Sequence, residues 1–345
     1  MFKPKYTISN NLLANIKRIS ALVQELNTRQ FTKIVLVDLE MTARAVSAFA
    51  STSIEGNPLP LTEVKKILKN LPVNIRDSER EVLNYNEALE FSSNVVRNNQ
   101  DNLTLDLILE IHKKVVTGLL PKYDVGKLRK KPVVVNNPKL RKIVYLPPDA
   151  QVVETLIKDL VKFVSDNENT IDSLILAGIF HKQMVVIHPF MDGNGRTTRL
   201  ITKILLARMG LNTFNLFSFE NYYNQNITKY FEEVGEYGDY NDLGQSIDFT
   251  SWLEYFTGGI IDELLRVKGL LPTSILSTEQ RLEQRHKDLV DFVKKSGSIT
   301  DREYAKITSK SKATRSLDFQ KLTLLGLLER KGEGRATYYV LKDFR

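Results

Sequence analysis

His188, Asp192, Arg196 and Arg199 fall within one twelve-residue stretch, His188-Pro189-Phe190-Met191-Asp192-Gly193-Asn194-Gly195-Arg196-Thr197-Thr198-Arg199. Each brings its own chemistry. A histidine titrates near neutrality and can take a proton from an attacking hydroxyl. One carboxylate such as Asp192 suffices for Mg2+, which fills its other positions with phosphate oxygens and water. Arginine presents a fork of donors that matches phosphate oxygens. Gly193 and Gly195 flank Asn194 in a turn, and a turn that opens a helix aims N–H groups and the positive dipole end at one point, favouring an anion. Together these residues suggest a site that moves a phosphate-containing group. Two elements must position them: an apolar run over 174–187 and a helical apolar pattern over 200–207. For any one residue alone, a helix cap or a packed histidine is an adequate reading. The combination argues for chemistry.

The stretch resembles the signature of the Fic family, His-Pro-Phe-x-Asp-Gly-Asn-Gly-Arg-x-x-Arg, at every fixed position. It lacks the Gly-Lys-Ser/Thr of a P-loop. The resemblance implies transfer of AMP from ATP to a Ser, Thr or Tyr hydroxyl of a target protein. It implies His188 as base and Asp192 as Mg2+ ligand. It places Gly193, Asn194, Gly195, Arg196, Thr197 and Arg199 around the nucleotide phosphates. A family branch that phosphorylates its target carries Lys where this chain has Gly195, so AMP transfer is favoured. The segment 221–231 resembles one that lines the adenine pocket, with Tyr230 as the ring contact or else a core aromatic. Phe231 stands where the family usually has a second Tyr. His181 is expected to pack rather than react.

Upstream, Ser51-Thr52-Ser53-Ile54-Glu55-Gly56-Asn57 closes an expected helix. Gly56 suits a left-handed C-terminal turn, with Glu55 solvated in the last turn. A carboxylate there opposes the helix dipole and benefits from a cationic partner. The segment resembles the family's inhibitory motif, Ser/Thr-x-x-x-Glu-Gly/Asn, carried here by Ser51, Glu55 and Gly56. That resemblance implies pairing of Glu55 with Arg199, which would hold ATP in an unproductive pose.

The 345 residues, 42% hydrophobic and 26% charged, suit a soluble globular chain of two or three domains. Without cysteine, disulfides and thiolate metal sites are excluded, and the four histidines (His112, His181, His188, His286) form no zinc-hydrolase pairing. No apolar run approaches a membrane span, so a cytoplasmic protein with no membrane partner is expected. The net charge of +8 does not by itself imply nucleic acid.

Helical periodicity covers 12–39, 34–49, a segment capped by Thr62, 80–96, 105–120, 156–164, 221–234 and 249–265. Val133-Val134-Val135 and Ile143-Val144-Tyr145 around Asn136-Asn137-Pro138 read as a hairpin. It is either an incidental surface hairpin or, by the resemblance, a flap (133–145) that aligns the target by strand addition. Beyond a boundary at 270–278, three helices (281–294, one opened by a Thr300/Glu303 capping box, and 313–325) precede a Gly-rich hairpin. That order resembles a winged helix-turn-helix. Its recognition helix, 311–321, could meet DNA phosphates, with Arg315 reaching guanine; protein contact is the other reading. The expected fold is mainly α: an N-terminal helical segment with the inhibitory motif (1–100), a Fic-type helical core with a small β-hairpin flap (101–270), and the winged helix-turn-helix domain (278–345). The function expected is an autoinhibited protein adenylyltransferase, with possible auto-modification and homodimerisation. A nucleotide-sensing transcriptional regulator and an AMP-removing enzyme are the alternatives.

Overall fold

The computed structural model describes residues 2–28, 33–72, 74–98, 102–137, 142–208, 210–211, 216–271 and 282–342. The chain divides into two compact units. The first comprises Met1–Thr28, Ala43–Leu68 and Pro72–Gly269. The second comprises Arg29–Thr42, Lys69–Leu71 and Leu270–Arg345.

At the centre of the first unit lies α7 (Ser173–Ile187), apolar nearly all round and buried on every face. A helix with no polar face must be surrounded by others. It packs on α8 (Asn194–Ala207), which also meets α4 (Asp77–Arg97) and α5 (Leu105–Val116). The unit also contains α1 (Asn10–Asn27), the part of α2 (Lys33–Ile54) from Ala43 on, α3 (Leu61–Lys69) as far as Leu68, and α6 (Val153–Asn167). Then follow α9 (Glu220–Gln225), α10 (Ile227–Val234), α11 (Tyr240–Leu243) and α12 (Thr250–Leu270). The α12 helix crosses α7 at Gly178, whose missing Cβ would lie 2.6 Å from Leu253 Cδ2. Trp252 Nε1 donates to the Gly178 carbonyl at 2.7 Å there.

A buried carboxylate ties the helices together. Glu220 Oε1 accepts from Ser47 Oγ (2.9 Å) on α2 and Tyr85 Oη (2.7 Å) on α4, and pairs with Lys203 (3.2 Å) on α8. A buried charge persists only when so satisfied.

Several expected elements shift. The helix over 105–120 stops at Val116, because Thr117 leaves helical geometry and Gly118 turns with φ 76°. The single helix over 221–234 is two, since Asn226 leaves helical geometry and caps the second by accepting from the Lys229 N–H. The third helix starts at Leu61 rather than after a Thr62 cap; the Pro60 carbonyl accepts from Glu63 and Val64. The hairpin is part of a three-stranded sheet. Strand β1 (Val135–Asn137) pairs antiparallel with β2 (Lys142–Leu146), and β2 pairs in parallel with the short β3 (Gly238–Asp239). The hairpin's tip, 138–141, lies outside the described residues.

The second unit contains α13 (Gln284–Ser296), α14 (Asp301–Ile307), α15 (Lys312–Leu324) and the antiparallel pair β4 (Leu328–Lys331) and β5 (Tyr338–Leu341). This is the expected order of three helices and a hairpin; Arg281, the expected start of the first, lies outside the described residues. The Thr300/Glu303 capping box is present. Leu289, Val293, Ile299, Phe319, Leu322 and Leu328 form its core. Asp318 is buried beneath His286 (2.8 Å), Tyr304 (2.8 Å) and Arg285. Arg315 differs from expectation. Both Asp301 oxygens hold its guanidinium, at 2.8 and 3.0 Å, so it is committed within the unit rather than extended toward a base.

Candidate active site

The signature forms the turn between α7 and α8. His188 caps α7 with φ 51° and ψ 60°, the only non-glycine positive φ among the described residues. An L-residue held there is strained, and the surroundings must enforce it. They do so by gripping the loop backbone. Arg129, 2% exposed, donates Nε to the His188 carbonyl (2.8 Å) and Nη2 to the Pro148 carbonyl (2.5 Å), and its own N–H to the Pro189 carbonyl (2.9 Å). Asn194 clips the loop from the other side. Its Oδ1 accepts from the Phe190 N–H and its Nδ2 donates to the Phe190 carbonyl, both at 2.9 Å. The His112 ring stacks on Phe190 with centroids 3.7 Å apart. Its Nε2 donates to the Asp192 carbonyl (3.1 Å) while its Nδ1 accepts from the Gly126 N–H (3.2 Å). Burial holds its pKa down, to about 4, so it works as a neutral brace.

One backbone contact fixes the tautomer of the His188 ring. Its Nδ1 lies 3.3 Å from the Val185 carbonyl, which can only accept, so Nδ1 carries the hydrogen and Nε2 keeps its lone pair. Burial lowers its pKa, opposed by that hydrogen bond and by the negative charge of Glu55. The imidazole is therefore neutral at ordinary pH, as a base must be.

Gly193, with φ 78°, opens α8 and presses against Val116; a Cβ there would lie 2.7 Å from Val116 Cγ1. Its carbonyl takes the Thr197 N–H, so the N–H groups of Asn194, Gly195 and Arg196 precede the helical ladder. Asp192 is about half exposed (54%), accepting from the Gly193 N–H at 2.6 Å and from Arg196 Nη2 at 3.0 Å. Arg196 also pairs with Glu81 of α4 at 3.1 Å. Thr197 is fully buried, and its hydroxyl has no partner among the described residues.

Arg199 is fully buried, and three acceptors from the end of α2 hold it. Nε donates to Ser51 Oγ (2.8 Å), and Nη2 donates to the Ser51 carbonyl (2.8 Å) and to Glu55 Oε1 (2.7 Å). The last carbonyls of a helix are unsatisfied and sit at its negative end, so the end of α2 is a built cation receptor. Burial works against the Arg199 charge, but Glu55 and the neighbouring hydroxyls outweigh it and hold its pKa above the ordinary arginine value. Gly56 ends the helix with φ 93°. Asn57 then fixes the segment to α4, donating to the Ser78 carbonyl (2.8 Å) and to Glu81 (2.7 Å). Glu81 thus touches both Asn57 and Arg196. Gly195 leaves the space Glu55 occupies; a Cβ there would collide with Glu55 Oε1 and lie 2.9 Å from Arg199 Nη1.

The described residues fit a polyphosphate. Arg199 Nη1 and Arg196 Nε are buried with no hydrogen-bond partner, which is costly unless an anion meets them, while Arg196 Nη1 already meets the Glu81 carboxylate at 3.1 Å. For Mg2+, one accessible carboxylate, Asp192, is available. No group of three or more His, Asp or Glu is arranged as a metal site among the described residues.

Tyr230 sits inside the core rather than at an open pocket wall. It is 1% exposed, its ring stacks on Tyr223 at 4.5 Å, and its hydroxyl meets His181 Nε2 at 3.1 Å. Thr202 donates to the Thr198 carbonyl, so His181 Nδ1 carries the hydrogen and Nε2 accepts from Tyr230. His181 packs, as expected. Sequence reading missed Arg129, His112, Glu81 and the anchoring role of Asn57. The one sequence signal for His112 is its place on the apolar face of α5, among Ile108, Ile111 and Val115.

The profile of the Fic/DOC family matches residues 102–206. Protein adenylyltransferase fic-1 of Caenorhabditis elegans is 31% identical over 167 residues, 47% of this chain and 31% of the relative. Protein adenylyltransferase Fic of Aedes aegypti is 28% identical over 217 residues, 57% of this chain and 42% of the relative. The chain thus spans less than half the length of these curated relatives. A solved Fic family protein from Desulfovibrio desulfuricans G20 matches over 100% of both chains, with a TM-score of 0.64 at 19% identity. Fic-1 from C. elegans (aa134–508) matches over 75% of this chain and 72% of that one, with a TM-score of 0.58 at 23% identity. At these identities the likeness is one of fold. With the signature complete, its geometry assembled and the family profile matched, residues 102–206 of this chain are a Fic domain.

Proposed function

We propose that the chain is a protein adenylyltransferase held in check by Glu55. The observation that carries this reading is the engagement of Arg199, a fully buried guanidinium, by Glu55 at 2.7 Å beside the His188 loop. The relatives named above bear the same activity in their names. In the proposed reaction a target hydroxyl oxygen attacks the α-phosphorus of ATP. The new O–P bond forms as the bond to pyrophosphate breaks, and His188 Nε2 takes the hydroxyl proton. The N–H groups of Asn194, Gly195 and Arg196 receive phosphate oxygens, and Arg196 and Arg199 balance the outer phosphates. Asp192 would hold Mg2+, which supplies positive charge against the phosphates when bound. Catalysis of this kind is mostly positioning and charge stabilisation. The unpaired outer edge of β1 would align the target segment by backbone hydrogen bonds.

While Glu55 holds Arg199, the γ-phosphate lacks its partner and ATP sits unproductively. A charge-assisted hydrogen bond is worth about 1.5–3 kcal/mol. Glu55→Gly is therefore expected to raise AMP transfer roughly 10- to 100-fold. Transfer of label from α-labelled ATP to lysate proteins, or to the chain itself, measures this; an unchanged or lower rate would overturn the brake.

One observation favours a second reading, removal of AMP. The Glu55 carboxylate lies against Gly195 of the signature, where an added Cβ would collide with its Oε1, so a carboxylate stands at the loop in a position to serve as base toward a water. Release of AMP from a modified target by wild-type protein, lost in Glu55→Gly, would support removal.

A further inference from the structure

Residues 125–148 contain seven Lys or Arg and no Asp or Glu, in a chain whose formal net charge is +8. A segment of this length without a single acid is a concentrated positive field. It is also the segment joined most directly to the His188 loop. Arg129 is spent on the backbone of that loop, as described above. Tyr145 is buried, and its hydroxyl donates to the Val186 carbonyl at 3.0 Å, two residues before His188.

Lys139 and Arg141 lie outside the described residues, and the remaining four cations have no such duty. Lys127, Lys130, Lys131 and Lys142 are exposed, and none has a carboxylate partner among the described residues. Asp124 and Asp149 bound the segment, Asp149 acting on the already committed Arg129, and toward β3 Glu236 pairs with Lys182 at 2.8 Å and Asp239 caps α11. Strand β1 is the outer strand, so one row of its N–H and C=O groups is unpaired by the sheet. Val134 (43%) and Ile143 (56%) expose apolar side chains nearby. An open strand edge, apolar side chains and unpaired lysines together describe a surface for an extended polyanionic segment. Lysines on an edge also deter self-association. That role needs only scattered charge, and it does not account for the absence of acids over the whole segment.

We propose that this flap receives an acidic segment of the target protein. The segment adds to β1 through backbone hydrogen bonds, and Asp or Glu side chains around the acceptor hydroxyl meet Lys127, Lys130, Lys131 and Lys142. The claim that the bound segment is then modified rests on the adenylyltransferase reading; the docking itself does not.

The test uses the full chain with Glu55→Gly and short peptides of equal length. Each peptide carries one Thr or Tyr flanked by Asp and Glu, by Ser and Gly, or by Lys. Binding is read by fluorescence anisotropy without nucleotide, and modification by label from α-labelled ATP. The acidic peptide is expected to bind on the order of tenfold tighter than the neutral one, the sum of a few surface ion pairs. The advantage should shrink as salt shortens the reach of the charges. N-methylation of alternate backbone amides in the acidic peptide should weaken binding, since strand addition needs those donors. The triple variant Lys130→Glu, Lys131→Glu, Lys142→Glu should lose the acidic preference and gain one for the Lys-flanked peptide, an inversion that misfolding cannot produce. Equal binding of acidic and neutral peptides would overturn the proposal. So would an acidic preference that survives in the triple variant. Tighter, lysine-dependent binding of a single-stranded oligonucleotide of equal charge would assign the surface to nucleic acid instead. Acidic-peptide binding with no His188-dependent label would leave the docking intact and overturn the adenylyltransferase reading alone.

Discussion

At the residue scale, His188 is the most constrained side chain. It is the only non-glycine residue with positive φ among the described residues, and its Nδ1–H is committed to a backbone carbonyl. Burial lowers its pKa and the Glu55 charge raises it. The acid limb of kcat/KM, which reports the free enzyme's base, should therefore fall below the ordinary histidine value of about 6.5. Removing Glu55 removes a negative charge that stabilises the imidazolium, so the limb should move further down in Glu55→Gly. A pH profile of AMP transfer checks both. A limb at or above the ordinary value, or an upward move in Glu55→Gly, would contradict the assignment. Arg199 shows what the proposed brake rests on: two of its three partners belong to Ser51 in the last turn of α2, and one is the Ser51 backbone carbonyl. Glu55 adds the charge.

At the element scale, the loop between α7 and α8 is held by groups that approach from α5, from the segment before the flap and from within α8 itself. Asn194→Ala would leave the buried Phe190 N–H and carbonyl without their partners. The expected loss is about 1–3 kcal/mol of stability, read by denaturant unfolding, with a fall in AMP transfer as His188 loses its support. A variant as stable and active as wild type would show that the clip is idle. What was legible in the sequence follows the same division. The twelve-residue signature and the 51–56 motif were readable because their residues are close neighbours in the chain. The pairing of Glu55 with Arg199 spans 144 positions, and only the resemblance anticipated it. Arg129, His112 and Glu81 were not readable: the first two act on backbone carbonyls far along the chain, and a carbonyl carries no residue type. Asn226 was missed for another reason. It is both the end of one helix and the cap of the next, and the apolar period runs through it unbroken.

At the scale of the whole molecule, burial of histidines couples folding to pH. His112, His181 and His188 all have pKa values below the ordinary range because burial disfavours their charge, His112 at about 4. In the unfolded chain they protonate near the ordinary value of about 6.5. Below that pH the unfolded state binds protons that the folded state refuses, so this stability is present above about pH 6.5 and is lost as pH falls. Each such histidine contributes a slope of about 1.4 kcal/mol per pH unit. Unfolding free energy measured from pH 7 down to pH 5 should decline. His112→Gln, which keeps a donor, should flatten the slope by about one proton's worth; a pH-independent stability would contradict the burial. No helix among the described residues is long and apolar enough to cross a membrane. In the second unit, Arg315 and Asp318 are both tied into ion pairs of that unit.

The most direct measurement offers α-labelled and γ-labelled ATP in parallel to wild-type, Glu55→Gly and His188→Ala proteins with Mg2+ and a lysate. The account predicts protein-bound label from the α position only. It should rise in Glu55→Gly and fall by at least about a hundredfold in His188→Ala, the scale of a lost general base. Label from the γ position, or α label indifferent to His188, would contradict it.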